Sequence, residues 1–304
     1  MLKALLNYKQ IYSTFATQLN MALNLKTLGT RSLSGAVFVA VLLGAILWNY
    51  YSFAFLFFVV SMLGLNEFFK ISEILQAKPY KTAAYALAVI LYALSLHFSF
   101  FIGRFSVLSF LFYPFLLLIP FILMAVAMLS KREQPIQNYL FTLFGLLYAV
   151  IPFCLLHDLV NLRYGLTPSD AFYNPKPLLA IIFLIWCNDT FAYLGGSLFG
   201  KHKMIPRVSP GKTWEGTLFG IAVSVALAYL IRNTMFDGSG YLWPVMGLLV
   251  PVLATVGDLV ESMLKRQAGI KDSGNLMPGH GGVLDRFDSL IFVSPFALVI
   301  LNLL

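Results

Sequence analysis

Nine apolar runs of about the length needed to cross a bilayer leave this chain few ways to fold. They lie at roughly 33–48, 51–69, 83–102, 105–129, 139–157, 177–199, 214–231, 241–264 and 285–303, the first being the shortest. In lipid every backbone N–H and C=O must be satisfied within the protein, so only helices and closed barrels can span it. These runs are too long and too evenly apolar for the alternating strands of a barrel. With 59% hydrophobic and only 11% charged residues among 304, the chain carries more apolar surface than a soluble core could hide. The expected fold class is all-α: a polytopic integral membrane helix bundle of about nine transmembrane helices.

An odd number of spans puts the two termini on opposite sides, and the basic residues say which is which. Placing the N-terminus in the cytoplasm leaves only Arg104, Arg163, Lys176 and Arg232 in outer loops, and the other 17 of the 21 Lys and Arg face the cytoplasm. That split follows the positive-inside rule and predicts a C-terminus facing out. The +8 net charge is then the basic fringe of a cytoplasmic membrane face, which attracts anionic lipid headgroups; it calls for no nucleic acid. Cys154 and Cys187 both fall inside spans and read as packing residues rather than a disulfide or metal pair.

Residues 1–32 lack a compact apolar core, so a short cytoplasmic or interfacial segment is expected rather than a cleaved signal peptide. N-terminal transmembrane helices follow over 33–157, and a C-terminal transmembrane catalytic region over 177–304. The loops between runs are too short for a separate soluble domain.

Three polar sites interrupt this pattern. Asn188-Asp189-Thr190 lies near the middle of the sixth run, where an acid is costly and is by default functional, the alternative being a polar pair bonded to a neighbouring helix. The loop 200–212 and the following Thr213-Trp214-Glu215-Gly216 form the second site. Ser209, Lys212 and Thr213 at a helix entrance offer hydroxyls, an ammonium and backbone N–H groups to a phosphate, but a basic loop on this face reads equally well as a topology signal. A Walker loop is excluded: after Gly195 to Lys201, His202 stands where Ser or Thr should bind magnesium, and no strand precedes it. Gly216 and Gly220 form a GxxxG pair suited to close helix packing.

The third site, residues 258–289, gathers five of the thirteen acids between the last two runs. Asp258, Glu261, Ser262 and Lys265 share one face of the eighth helix, and Asp285 and Asp288 share a face at the start of the ninth. One helix enters the cytoplasm and the other leaves it, so the two acidic faces can converge on a cation. Hard oxygen ligands suit Mg²⁺, which takes one or two carboxylates and fills its remaining positions with water and phosphate oxygens. Interhelical salt bridges with Lys265, Arg266 and Arg286 are the alternative, although bridges alone would not call for the glycine-rich loop between the helices. His280, set between glycines, suits a hydrogen bond to phosphate or loop backbone as well as it suits catalysis.

Ser262-x-x-Lys265-Arg266, Lys271-Asp272, Pro278-Gly279-His280-Gly281-Gly282 and Asp285-Arg286-Phe287-Asp288 together resemble the signature of the phosphatidate cytidylyltransferase (CDP-diacylglycerol synthase) family. Asn188-Asp189 and the stretch from Ser209 to Gly216 resemble two further characteristic segments of that family, so the resemblance covers roughly the C-terminal 130 residues. Gly211 stands where the family often has lysine, and Met277 where Leu, Ile or Phe is usual.

The resemblance implies that CTP and phosphatidate react to give CDP-diacylglycerol and pyrophosphate with Mg²⁺, at a paired metal centre with room for a second cation. It implies Asp258 and Asp285 as metal ligands, with Lys265 and Asp288 completing the catalytic set. Asp189, Ser209, Lys212, Thr213, Arg266, Lys271, His280, Gly281, Gly282 and Arg286 are the expected substrate-binding residues. Expected partners are CTP, phosphatidate and membrane lipids, with a homodimer open as an assembly, and the expected location is a bacterial cytoplasmic membrane. Two other readings stand beside this one: a transporter lined by Asp189, which predicts inverted repeats not seen here, and a membrane kinase that uses CTP to phosphorylate a lipid alcohol.

Overall fold

The computed structural model describes residues 25–100, 112–161, 173–236, 241–276 and 281–303. Among these residues the chain forms ten helices and one small hairpin. The helices are α1 (Leu25–Trp48), α2 (Tyr50–Ile74), α3 (Lys81–Phe100), α4 (Phe112–Leu129), α5 (Pro135–Ala149), α6 (Ile151–Val160), α7 (Lys176–Phe199), α8 (Trp214–Met235), α9 (Leu242–Gln267) and α10 (Leu284–Leu303). The hairpin, β1 (Lys203–Ile205) and β2 (Ser209–Thr213), lies between α7 and α8.

Five helical stretches are long and apolar enough to cross a membrane: Tyr50–Ile74, Pro135–Val160, Lys176–Phe199, Trp214–Met235 and Leu242–Gln267. The apolar stretches Ser32–Trp48, Lys81–Leu96 and Pro114–Leu129 are shorter. The expected run 139–157 is divided at Val150, where φ −120° and ψ −55° leave helical geometry between α5 and α6. Pro152 lacks the N–H that would continue the ladder, and its ring crowds the preceding turn. α1 and α2 are likewise separated at Asn49, whose side chain accepts from Ser52 N (2.9 Å) while Ser52 Oγ accepts from Asn49 N (3.2 Å), a reciprocal cap on α2.

The C-terminal helices pack in sequence order, α7 on α8, α8 on α9 and α9 on α10, and α10 also lies against α6 and α2. The GxxxG pair makes the α7–α8 contact possible. A Cβ at Gly216 would lie 2.5 Å from Ala192 O and 2.8 Å from Gly196 Cα, and one at Gly220 would lie 2.7 Å from Asn188 Oδ1. Aromatic rings fix α10 against the N-terminal half: Phe287 meets Phe38 of α1 at 5.6 Å, Phe57 of α2 at 6.1 Å and Phe153 of α6 at 5.8 Å between centroids. Phe287 is buried between exposed Arg286 and half-buried Asp288, so the same ring that anchors the helix sets the direction of its polar face.

The hairpin replaces what the sequence suggests is irregular loop. Lys203 pairs with Thr213 and Ile205 with Ser209, antiparallel and with an irregular register between them. Glu215 closes its base, accepting from Lys201 N (3.1 Å) and His202 N (3.2 Å) and meeting His202 Nδ1 at 2.5 Å. Thr213 caps α8, its Oγ1 accepting from Gly216 N at 3.2 Å.

Candidate functional site

The acids that the sequence places on two helical faces do meet, but in a different grouping from a simple pair. Asp258 and Glu261 of α9 and Asp288 of α10 each offer a carboxylate oxygen, and these atoms all lie within 4.8 Å of one another. Glu261 is 1% exposed, and its Oε1 has no hydrogen-bond partner. Three carboxylates so close repel one another, and a buried acceptor without a donor is costly; a hard cation relieves both. The donor set therefore fits Mg²⁺, with positions left for phosphate oxygens.

Asp285 sits beside this trio on partners of its own. Oδ1 accepts from Lys265 Nζ at 2.5 Å, Oδ2 accepts from Gly282 N (2.7 Å) and Ser273 N (2.8 Å), and the Ser273 hydroxyl lies 3.0 Å from Oδ2 with its one proton shared between this oxygen and Glu67. The two N–H groups fill Oδ2, and the Lys265 ammonium lies against Oδ1, so a metal approaching Oδ1 would meet that ammonium and asks Lys265 to shift. Gly281, at φ +82°, turns the chain so that Gly282 N can point at Asp285, in a backbone region that side chains rarely adopt.

Lysines join the two groups. Lys265, 10% exposed at its side chain, bridges Glu261 Oε2 (2.7 Å) and Asp285 Oδ1 (2.5 Å). Lys212 of the hairpin reaches Asp258 Oδ2 at 2.5 Å, and Ser262 Oγ donates to Asp258 Oδ1 at 3.2 Å. Arg266 ties the end of α9 to the hairpin and the following loop, donating to Val208 O (3.4 Å) and Ile270 O (3.1 Å). The salt-bridge reading and the metal reading thus coexist within one cluster: Lys212 and Lys265 bridge Asp258, Glu261 and Asp285, while Glu261 Oε1 is left without a partner and no salt bridge reaches Asp288 among the described residues.

A cavity of about 630 Å³ opens onto these acids. Its walls include Phe38, Val39 and Leu42 of α1 and Ile182, Ile185 and Trp186 of α7, and its polar lining includes Asp189, Thr190, Asp258, Asp285, Arg286 and Asp288. Asp189 is exposed to this space, and Asn188, which donates to it at 3.4 Å, is buried against α8.

Of the remaining expected site residues, Thr213 is buried as a helix cap, Ser209 is a half-buried strand residue, and Lys271 is exposed on the loop after α9. His280, with Met277, Pro278 and Gly279, lies outside the described residues. Sequence reasoning passed over Glu67 of α2. This carboxylate is 5% exposed and accepts from Ser273 Oγ, Val283 N and Leu284 N, each at 2.9 Å. An acid inside an apolar run was the available signal, the same one that singled out Asp189.

The chain is similar in sequence to known proteins. The cytidylyltransferase family profile matches residues 29–304. The phosphatidate cytidylyltransferase of Haemophilus influenzae is 38% identical over 167 residues, which cover 53% of this chain and 57% of that protein. That of Staphylococcus saprophyticus is 36% identical over 188 residues, covering 61% of this chain and 68% of the relative. A Staphylococcus aureus enzyme of the same name is 35% identical over 192 residues, with the same coverage. The match to the Haemophilus protein thus spans little more than half of its length, whereas the family profile takes in every acid of the trio together with Glu67, Lys265 and Asp285. By that match, this chain belongs to the cytidylyltransferase family.

Proposed function

We propose that this protein transfers the cytidylyl group of CTP to phosphatidate, releasing pyrophosphate and leaving CDP-diacylglycerol in the membrane. The observation that carries the reading is the cavity, in which apolar walls from α1 and α7 lead onto carboxylates at the α9–α10 interface. An amphiphile fits such a space, with its acyl chains against Phe38, Leu42, Ile182 and Ile185 and its phosphate near the acids. The names of the related enzymes support the same substrates.

In the proposed reaction a phosphate oxygen of phosphatidate attacks the α-phosphorus of CTP. A new P–O bond forms as the bond to the β-phosphate breaks, and its electron pair leaves with pyrophosphate. Phosphoryl chemistry of this kind asks the protein mainly for position and for neutralisation of the developing negative charge. Asp258, Glu261 and Asp288 would hold Mg²⁺, with Asp285 able to join if Lys265 shifts, and the metal supplies charge stabilisation to the phosphate oxygens when bound. Lys212 and Lys265 are already placed at the acids, and Arg266, Lys271 and Arg286 add positive charge for the triphosphate and its leaving group.

CTP labelled in the cytosine ring tests the reaction directly. Label should appear in a chloroform-soluble product whose formation requires both phosphatidate and Mg²⁺. A lipid product labelled from CTP carrying the label at the γ-phosphate, but not from ring-labelled CTP, would instead make the protein a lipid-alcohol kinase, and solute flux without CTP turnover would make it a transporter.

The reading includes nine spans, a cytoplasmic N-terminus and a cytoplasmic site, resting on the distribution of Lys and Arg. Single cysteines at Asn275 and Asn233, both exposed, should react with a membrane-impermeant thiol reagent from opposite faces in a Cys154→Ala, Cys187→Ala background. Asn275 is the better probe in its loop because the neighbouring Ser273 is buried against Glu67 and Asp285. Labelling of both from one side would refute the sidedness.

A further inference from the structure

We infer that Glu67, on α2, is a positioning residue for the reaction: it holds the loop before α10 and, through Ser273, the carboxylate of Asp285. The inference rests on the cytidylyl-transfer reading for its kinetic consequence, but not for its structural one.

A helix start leaves backbone N–H groups without partners, and α10 cannot cap itself in the usual way. Val283, whose carbonyl accepts from Arg286 N and Phe287 N, stands at the capping position and has no side-chain acceptor. Glu67 supplies it from another helix, Oε1 taking Val283 N and Oε2 taking Leu284 N. Oε2 also takes Ser273 Oγ, and that serine's N–H and hydroxyl are the ones that approach Asp285 Oδ2. One carboxylate from the N-terminal half thus meets both ends of the loop 273–284. The loop is shaped to admit it. A Cβ on Gly274 or on Gly282 would run into the Glu67 carboxylate.

Glu67 is not part of the acid trio, and among the described residues no Lys or Arg forms a salt bridge with it. Its partners are dipoles: a hydroxyl and the N–H groups at the start of a helix, where negative charge is favoured. What depends on it is the aim of Asp285, and through Asp285 the placement of Lys265 between Glu261 and Asp285.

Glu67→Gln and Ser273→Ala, made singly and together in the full-length chain, test this. The amide that replaces the Glu67 carboxylate offers one acceptor oxygen, so Val283 N or Leu284 N must lose its bond. Ser273→Ala removes the hydroxyl that joins Glu67 to Asp285, keeps the backbone N–H bond to Asp285 Oδ2, and leaves no buried charge unpaired. Glu67→Gln should lower kcat at least tenfold with KM for CTP within threefold of wild type. Ser273→Ala should lower kcat less, and the double variant should be no slower than Glu67→Gln alone. Hydrogen–deuterium exchange should quicken at 281–287 in Glu67→Gln and stay unchanged in α7 and α8.

Multiplicative losses in the double variant, or a kcat within threefold of wild type in Glu67→Gln, would overturn the positioning role. So would faster exchange throughout the bundle with a matching fall in Tm, which would mark Glu67 as a residue that only holds the fold. Should Glu67→Gln fail to fold, Ser273→Ala decides, an unchanged kcat overturning the inference. Should the wild-type chain show no cytidylyl transfer, the functional reading fails by itself and the exchange comparison still decides whether Glu67 holds the loop.

Discussion

Asp258→Asn is expected to reduce cytidylyl transfer at least a hundredfold, about 2.7 kcal/mol in the barrier, while the protein still inserts and folds. Asn keeps the shape and keeps an oxygen for Ser262 Oγ, but it removes one of the three charges that would hold the cation. The lost pairing with Lys212 costs little stability, because the two side chains are 33% and 24% exposed and water screens such a pair to about 1 kcal/mol or less. Asp285→Asn should abolish activity as well, at a larger cost in stability. An amide NH₂ there must face either the Lys265 ammonium or the N–H groups of Ser273 and Gly282. Activity within about tenfold of wild type in Asp258→Asn would remove this residue from the metal site. Equal stability losses in the two variants would contradict the separate roles that their partners assign.

Lys265→Gln should be the most destabilising single change at the site. It strands Glu261 and Asp285, whose side chains are 1% and 6% exposed, without their shared cation. Breaking a buried pair from one side typically costs about 3–5 kcal/mol, because the remaining charge is left desolvated. Adding Glu261→Gln to that variant should recover part of the loss, since it removes one of the stranded charges, but not the activity. Thermal unfolding in detergent and the base-labelled CTP assay measure the two effects separately. A Lys265→Gln protein within about 1 kcal/mol of wild type would mean that these carboxylates do not depend on the lysine in the folded state.

The helical class, the polar interruptions and the acids of the last two runs are legible in the chain because each depends on local spacing. Apolar runs of spanning length require helices, and residues three and four apart share a face, so spacing alone groups Asp258, Glu261 and Lys265. The break at Val150 escapes such a reading because a run counted for hydropathy does not register the backbone penalty of Pro152. The hairpin escapes it because its strands, three and five residues long, carry no period to read.

How the acids divide between two roles depends on the tertiary structure. Asp285 and Asp288 lie three residues apart on one helix and look equivalent by spacing, yet one is held by Lys265, Ser273 and Gly282 and the other faces Asp258 and Glu261. Glu67 is more than two hundred positions from the loop that it holds, and α1 lines the cavity from the far end of the chain. Periodicity along a chain determines which residues share a helical face, because that follows from 3.6 residues per turn. Which face meets which, and so whether a carboxylate receives a lysine, an N–H or a metal, is decided only when distant helices pack, because each bond is set by an approach of a few ångströms that no local spacing encodes.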